Sequence, residues 1–252
     1  MVVESANKLF DIPFTYGTYQ ACLKKVTILI GEKKSSYVCF ANAHMIVEAH
    51  THKSFKEILL SADYVFMDGM PIVFANRFIN KDKDSERFAG MDFVVDIVKQ
   101  SEVNGESVFF YGSTEDNLNN LANFLEIQHP NLKIAGMLSP PFRILTDAEK
   151  SEHAELINQS KTDILLVSLG CPKQEIWMHE MKNKVNCTMF GVGNAFLTLS
   201  GKEKRSPRWM QKAGLEWVFR LAMEPRRLLK RYLLTNTKFL VLLIKGFARV
   251  KN

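Results

Sequence analysis

The chain has 252 residues and a formal net charge of +6, and 46% of its residues are hydrophobic. This length and composition predict a globular protein with a sizeable core, as one domain or as a domain with an appendage. We expect no signal peptide, because the first residues lack a basic start followed by an apolar run. Four cysteines without CxxC or metal-ligand spacing predict reduced, cytosolic thiols, at positions 22, 39, 171 and 187.

Apolar strand-like runs alternate with helical patterns from about residue 37 to about residue 195. Strands are predicted over residues 37–41, 64–67, 106–111, 132–137, 163–169 and 187–192. Between them, helices are predicted over residues 44–60 and 71–78, from about 113 to 128, from 146 onward, and from about 172 to 184. This order predicts an α/β fold with a mostly parallel sheet and helices on both faces.

Ligands of such sheets bind outside the carboxyl ends of the strands, so the residues that follow strands are the candidates for a site. Asp68 and Gly69 follow one strand. The carboxylate of Asp68 is placed to act as a general base, or to bond its own backbone in a turn in which Gly69 supplies an unusual φ. Gly170 opens the run Gly170–Glu175, which is either a helix N-terminus suited to phosphate, with Lys173 and Gln174 as ligand contacts, or an ordinary strand-to-helix turn. Asn42, Gly112 and Gly193 occupy equivalent strand ends.

Two motifs carry weaker indications. The run Gly191–Phe196 lacks the third glycine and the acidic partner of a dinucleotide fingerprint, which disfavours NAD. Asp82-Lys83-Asp84 has the form of a metal-holding DxD, but it lies in a charged segment with no apolar strand before it, which favours a solvated loop. The histidines show no paired metal-ligand motif, so we expect no metal site.

The C-terminal residues 201–252, here called the tail, contain 14 Lys/Arg and 3 Asp/Glu, a net charge of +11, so the body, residues 1–200, carries −5. The cations alternate with large apolar and aromatic residues, which favours an anionic membrane surface or an anionic ligand over a solvated helix face. Nucleic acid is disfavoured because no reading motif is present. The longest uncharged apolar run, Phe239–Ile244, is far below the roughly 18 residues that span a bilayer.

These segments, in this order, resemble the WecG/TagA/CpsF family of bacterial glycosyltransferases, and residues 139–143 look like its exopolysaccharide branch. The resemblance rests on these stretches: Asn42-Ala43, Ala62-Asp63, Asp68-Gly69, 86–92 with Arg87, 170–175, 191–193, 201–207 with Arg205, and 214–227 with Arg220 and Arg227. The family implies a Rossmann-like catalytic domain, here 1–200, and a basic, helical, membrane-associating appendage, here 201–252.

The resemblance implies transfer of a sugar from a UDP-sugar to a polyprenyl-diphosphate-linked glycan by a cytoplasmic, peripheral enzyme at the inner face of the bacterial plasma membrane. Because no DxD motif follows a strand, we expect arginines to take the role of a metal ion and no metal cofactor to be needed. The resemblance also implies that Asp68 is the base and that Arg205, Arg220 and Arg227 lie near the diphosphates. We expect further substrate contacts from these residues: Asn42, Gly69, Arg87, Gly112, Gly170, Lys173, Gln174 and Gly193. A homo-oligomer is compatible with this interpretation, and nucleic acid is not expected as a partner.

Two positions depart from the family pattern. Phe40 stands where the family often has Thr, and Leu197 stands where it usually has Asp. These departures leave the donor sugar open. They also leave open two alternatives: a non-catalytic, membrane-associated scaffold of a polysaccharide assembly complex, and a sugar-nucleotide epimerase, which the absent NAD fingerprint disfavours.

Overall fold

The structure is a computed structural model that describes residues 8–251, with the side chains of these residues except those at 227, 231 and 247–251. Six strands form one parallel sheet in the order β4-β3-β8-β7-β5-β6, and β1 and β2 form a small antiparallel hairpin. The strands are β1 Lys8–Leu9, β2 Ile12–Pro13, β3 Ser36–Ala41, β4 Tyr64–Met67, β5 Ser107–Gly112, β6 Lys133–Leu138, β7 Ile164–Ser168 and β8 Thr188–Gly191. The predicted fold class is confirmed.

Helices cover both faces of the sheet. In the body they are α1 Tyr19–Gly31, α2 Ala43–Thr51, α3 Lys53–Leu60, α4 Met70–Ile79, α5 Gly90–Asn104, α6 Glu115–Gln128, α7 Asp147–Gln159, α8 Lys173–Met181 and α9 Ala195–Leu199. The tail forms α10 Arg208–Lys212, α11 Glu216–Met223 and α12 Pro225–Lys251. Of these, α1, α5 and α9 were not predicted from the sequence.

Each central strand contributes to two separate cores, because successive side chains of a strand point to opposite faces. In β7, Leu165 and Val167 belong to one core, which α2, α3, α4, α7 and α8 cover. Ile164 and Leu166 belong to the other, which α1, α5, α6 and α9 cover. All five residues of β7 are buried, which explains why the four residues before Ser168 are apolar.

Local sequence sets several helix ends. Thr146 and Glu149 form the predicted capping box at the start of α7. The predicted continuous helix over residues 44–60 is wrong, because His52 adopts extended backbone and separates α2 from α3. The apolar spacing indicates this break: the buried Phe55 lies six positions after the buried Ala49, a spacing that does not fit one face of a single helix.

The tail lies against the body. Along α12 the side chains of Leu228, Thr235 and Phe239 are buried, and the ring of Phe239 meets that of Phe10 in the hairpin at 5.7 Å between centroids. Helix α12 packs on α2 and α4. Within the described part of the chain, no helix combines the length and the apolar character that crossing a membrane requires. The predicted boundary near Gly201 stays a prediction.

Candidate active site

The carboxyl ends of five neighbouring strands bring the candidate residues to one edge of the sheet. Neighbouring strands lie about 4.8 Å apart, so residues far apart in sequence become neighbours there. The candidates follow the strands in this spatial order: Asp68 and Gly69 after β4, Asn42 after β3, Gly193 after β8, Gly170 after β7, and Gly112 at the end of β5.

Asp68 is half-buried at the edge strand, and its backbone N–H donates to the carbonyl of Ala41 at 2.9 Å. Burial raises the pKa of Asp68 to about 6, because removal from water disfavours the charged carboxylate. The guanidinium groups of Arg87 and Arg220 oppose this rise, and the carboxylate of Glu216 adds to it. A carboxyl group with this pKa is ionised at neutral pH and accepts a proton more readily than an ordinary aspartate does.

A chain of alternating charges, here called the charge chain, joins the body to the tail beside Asp68. Arg205 Nη2 lies 2.6 Å from Asp92 Oδ1, and Asp92 Oδ2 lies 3.5 Å from Arg87 Nη2. Arg87 Nη1 lies 3.1 Å from Glu216 Oε2, and Glu216 Oε1 lies 2.9 Å from Arg220 Nη2. The chain therefore brings together the predicted residues Arg87, Arg205 and Arg220.

Asp92 and Glu216 were not among the predicted site residues. Both lie inside stretches that carry the family resemblance, so a signal was present in the sequence. Cationic residues are the sequence feature that indicates an anion site, so the two carboxylates were not selected. Carboxylates nevertheless hold a group of arginines together in the absence of a ligand. Two nitrogens of Arg205, Nε and Nη2, are buried without a hydrogen-bond partner of good geometry. Such donors are suited to phosphate oxygens.

Asn42 and Gly69 face each other across β3 and β4. The Oδ1 atom of Asn42 caps α2, accepting from the backbone N–H groups of His44 at 3.1 Å and Met45 at 3.2 Å. A Cβ atom at Gly69 would lie 3.9 Å from the Asn42 Cα atom, an ordinary contact, and φ at Gly69 is −105°. Any residue can adopt this conformation, so the alternative in which Gly69 supplies an unusual φ is wrong.

Gln174 links two strand-end loops. Its Oε1 atom accepts from the backbone N–H groups of Gly170 at 3.2 Å and Gly193 at 3.0 Å, and its Nε2 atom donates to Glu175 at 2.7 Å. The side chain is only 3% exposed. The structure therefore has Gln174 hold the loops after β7 and β8 together, and the predicted direct contact with substrate stays a prediction.

The glycines of these loops have distinct roles. Gly112 has φ +111°, and a Cβ there would lie 2.4 Å from the carbonyl oxygen of Ser168, so only glycine lets β5 and β7 approach so closely. Gly170 and Gly193 also have positive φ, but a Cβ at either would meet no atom within 4 Å. Their backbone borders open space, where a ligand can approach.

The remaining predicted residues are not members of the charge chain, or have side chains that the structure does not describe. Lys173 is exposed at the first residue of α8. Arg227 lies in α12, but its side chain is outside the part of the chain that the structure describes. Asp82 accepts hydrogen bonds from Ser85 of its own loop and from Asn76 of α4, which is a structural role. Among the described residues, no group of three or more His, Cys, Asp and Glu could hold a metal ion.

The two departures occupy different environments. Phe40 is buried in an aromatic cluster, with ring centroids 5.1 Å from Phe93 and 5.9 Å from Phe88, and it lies under Gly90 at the start of α5. It therefore has a packing role at the end of β3. Leu197 lies in α9 and is half-buried.

Comparison with known protein families identifies the chain. The sequence model described as "Glycosyl transferase WecG/TagA/CpsF family" matches residues 7–252. The chain belongs to the WecG/TagA/CpsF family. The similarity between this chain and the family therefore covers nearly the whole chain and not only the separate motifs. The protein is a glycosyltransferase by family.

Several similar proteins share one named activity. The chain is 27% identical over 220 residues to an N-acetylglucosaminyldiphosphoundecaprenol N-acetyl-beta-D-mannosaminyltransferase of Bacillus spizizenii, covering 87% of this chain and 82% of that protein. Proteins of the same name from Bacillus subtilis and Staphylococcus aureus are 27% and 28% identical, covering 79% and 76% of this chain and 75% and 74% of those proteins. None of these names mentions exopolysaccharide, so membership in that branch stays a prediction.

Proposed function

We propose that this WecG/TagA/CpsF protein transfers a hexosyl or N-acetylhexosaminyl group from a UDP-sugar to a polyprenyl-diphosphate-linked glycan, with inversion at the anomeric carbon. One observation carries the proposal: Asp68, a half-buried carboxyl with a pKa raised to about 6, lies among arginines supplied by both the body and the tail. Displacement of a nucleoside diphosphate requires a base beside a group of cationic side chains that binds the leaving diphosphate. The names of the relatives support an acceptor linked to undecaprenol through a diphosphate.

The reaction is a single displacement. The Asp68 carboxylate takes the proton of an acceptor hydroxyl while the hydroxyl oxygen forms a bond to the anomeric carbon of the donor. The bond from that carbon to the β-phosphate oxygen breaks on the opposite face, and UDP leaves with the electron pair. Arg87, Arg205 and Arg220 then stabilise the negative charge that develops on the diphosphate.

We propose that the arginines supply the charge stabilisation that a metal ion provides in many sugar-nucleotide enzymes. Fixed guanidinium groups present paired N–H donors that match phosphate oxygens. EDTA should therefore leave most of the activity. Loss of activity in EDTA, with recovery on addition of Mg²⁺ or Mn²⁺, would refute metal independence without affecting the assignment of Asp68.

The tail supports placement on the inner face of the plasma membrane. Large apolar side chains are exposed on α10 and α11, including Trp209, Trp217 and Met223, and basic residues alternate with them. Apolar groups that enter the interface and cations that meet anionic headgroups are the two components of peripheral binding. A membrane-bound position would bring the site to a lipid-linked acceptor.

The deciding experiment measures UDP release from a panel of UDP-sugars, with and without a short-chain polyprenyl-diphosphate sugar acceptor in detergent. Wild type, Asp68→Asn and Asp84→Asn are compared. Asp84 is exposed in the DxD-like loop and is not a member of the charge chain, so its variant is matched in chemistry. Acceptor-dependent release that Asp68→Asn loses and Asp84→Asn keeps supports the proposal and names the sugar.

Two results would count against it. Equal activity in wild type and Asp68→Asn would remove Asp68 from the role of base. Absence of release with every donor and acceptor, from a protein that still binds anionic liposomes, would favour the scaffold. Analysis of the product's anomeric configuration tests inversion separately.

A further inference from the structure

One carboxylate of the tail, that of Glu216, contacts arginines of both the body and the tail beside the candidate active site. Glu216 is the first residue of α11, and its two oxygens have different partners. Oε2 lies 3.1 Å from Nη1 of Arg87, which belongs to the body, and Oε1 lies 2.9 Å from Nη2 of Arg220, one helical turn further along α11. The two arginines thus come from separate parts of the chain and converge on Glu216.

This contact differs from an ordinary surface ion pair. The Arg87 side chain is 12% exposed and that of Glu216 is 22% exposed, so solvent screens the pair only in part. Exposed pairs contribute little, because water and salt compete with them. Two guanidinium groups this close to each other also repel, and a carboxylate between them removes that repulsion.

Other charged groups surround the same point. Arg205 and Asp92 continue the charge chain beyond Arg87. Tyr232 of α12 lies near Arg220, and Asp68 interacts with both Arg87 and Arg220. Burial by itself raises the pKa of Glu216, but Arg220 and Arg87 bring it below its ordinary value, so this carboxylate is ionised at neutral pH.

We propose that Glu216 is a positioning residue, which seats α11 of the tail on the body and holds Arg87 and Arg220 together beside Asp68, ready for the donor diphosphate. It touches neither reacting atom; it acts through the two arginines. The inference rests on the proposed transfer reaction, which it extends by assigning a function to a carboxylate within the cationic site.

The test compares Glu216→Gln with Arg87→Gln in the same UDP-release assay, measured as a function of pH. Loss of a charge-assisted contact of this kind is expected to lower kcat by roughly 10- to 100-fold in both variants. The acid limb of the pH profile separates the roles. Glu216→Gln removes an anion near Asp68 and should move the limb to lower pH. Arg87→Gln removes a cation and should move it to higher pH.

If Glu216 had a merely structural role, the rate would fall, but the acid limbs of Glu216→Gln and Arg87→Gln would not move in opposite directions. Binding to anionic liposomes should be unchanged in Glu216→Gln, because the basic and apolar surface of the tail remains. Glu155→Gln is the matched control: Glu155 is exposed on α7, outside the charge chain, and its variant should equal wild type.

Glu216→Asp keeps the inference testable if the Gln variant does not fold, as judged by thermal unfolding. It preserves the charge but shortens the reach, so the acid limb should stay in place while kcat falls. No turnover by wild type would refute the proposed function itself. The inference about Glu216 alone would be overturned if wild type turns over and Glu216→Gln has an unchanged rate and pH profile. Where only Glu216→Asp folds, an unchanged rate and pH profile in that variant would have the same meaning.

Discussion

Replacement of Asp68 by Asn is expected to remove activity and to stabilise the protein at neutral pH. Burial raises the pKa of Asp68 from 3.8 to about 6, so the ionised carboxylate that catalysis needs is disfavoured by its own environment. The difference between the two values corresponds to about 3 kcal/mol. A neutral amide of the same shape avoids that cost, and sites of this kind exchange stability for activity.

The sign follows from proton binding. Because the native pKa is raised, the native state holds the proton at pH values where the unfolded chain has released it, and wild type loses stability as pH rises through about 6. Asp68→Asn should therefore exceed wild type in free energy of unfolding by an amount that grows with pH. The contribution from Asp68 is about 1 kcal/mol at pH 4.5 and about 3 kcal/mol at pH 7.5. The opposite trend is expected for an aspartate whose pKa is lowered by an ion pair.

The assay is denaturant unfolding of Asp68→Asn, Asp84→Asn and wild type at both pH values, together with initial rates from pH 5 to 8. We expect Asp68→Asn to lose roughly 10²- to 10⁴-fold in rate. At pH 5 about a tenth of Asp68 is ionised, so kcat/KM of wild type should be about a tenth of its plateau. A stability difference that does not grow with pH, or a wild-type rate that is flat down to pH 5, would refute this reasoning.

Three further predictions concern the scaffold and the tail. Gln174→Ala leaves two backbone N–H groups without their acceptor and should lower the free energy of unfolding by about 1–3 kcal/mol in denaturant titration; a neutral result would show that water replaces the side chain. Gly112→Ala should lower the free energy of unfolding by about 3 kcal/mol or more, or prevent folding. Gly31→Ala is the control, because a Cβ there meets no atom within 4 Å, and in thermal unfolding it should be neutral or slightly stabilising. Deletion from Gly201 onward should abolish binding to anionic liposomes and turnover, and binding by the full chain should weaken with salt; co-sedimentation that is independent of both would contradict the assignment of the tail.

Much of the fold could be predicted from local pattern. The runs that became β3, β4 and β7 are short and apolar, and the structure places each within about one residue of its predicted bounds. The capping box at Thr146 and the proline in the first turn of α4 mark their helix starts by chemistry that acts within a few residues. Helices α1 and α5 were missed although their buried residues recur at helical spacing.

Part of the candidate site could be predicted as well. The rule that ligands bind at the carboxyl ends of parallel strands selects Asp68, Asn42 and the loop glycines without any coordinates. The part that was missed consists of partners. That Gln174 accepts from Gly193, or that Phe40 packs under Gly90, depends on which strands are neighbours, and local spacing does not contain that information.

Residue type and spacing along single stretches of chain predicted the six strands of the parallel sheet, part of the helices, a carboxylate at a strand end and the opposite charges of body and tail. Tertiary structure alone decided the strand order β4-β3-β8-β7-β5-β6 and the meeting of Arg87 with Glu216, two residues that are 129 positions apart. The physical reason is that such contacts form only when the sheet is assembled and the tail has packed on it. The pKa of Asp68 belongs to the same class, because burial and neighbouring charges are properties of the folded chain.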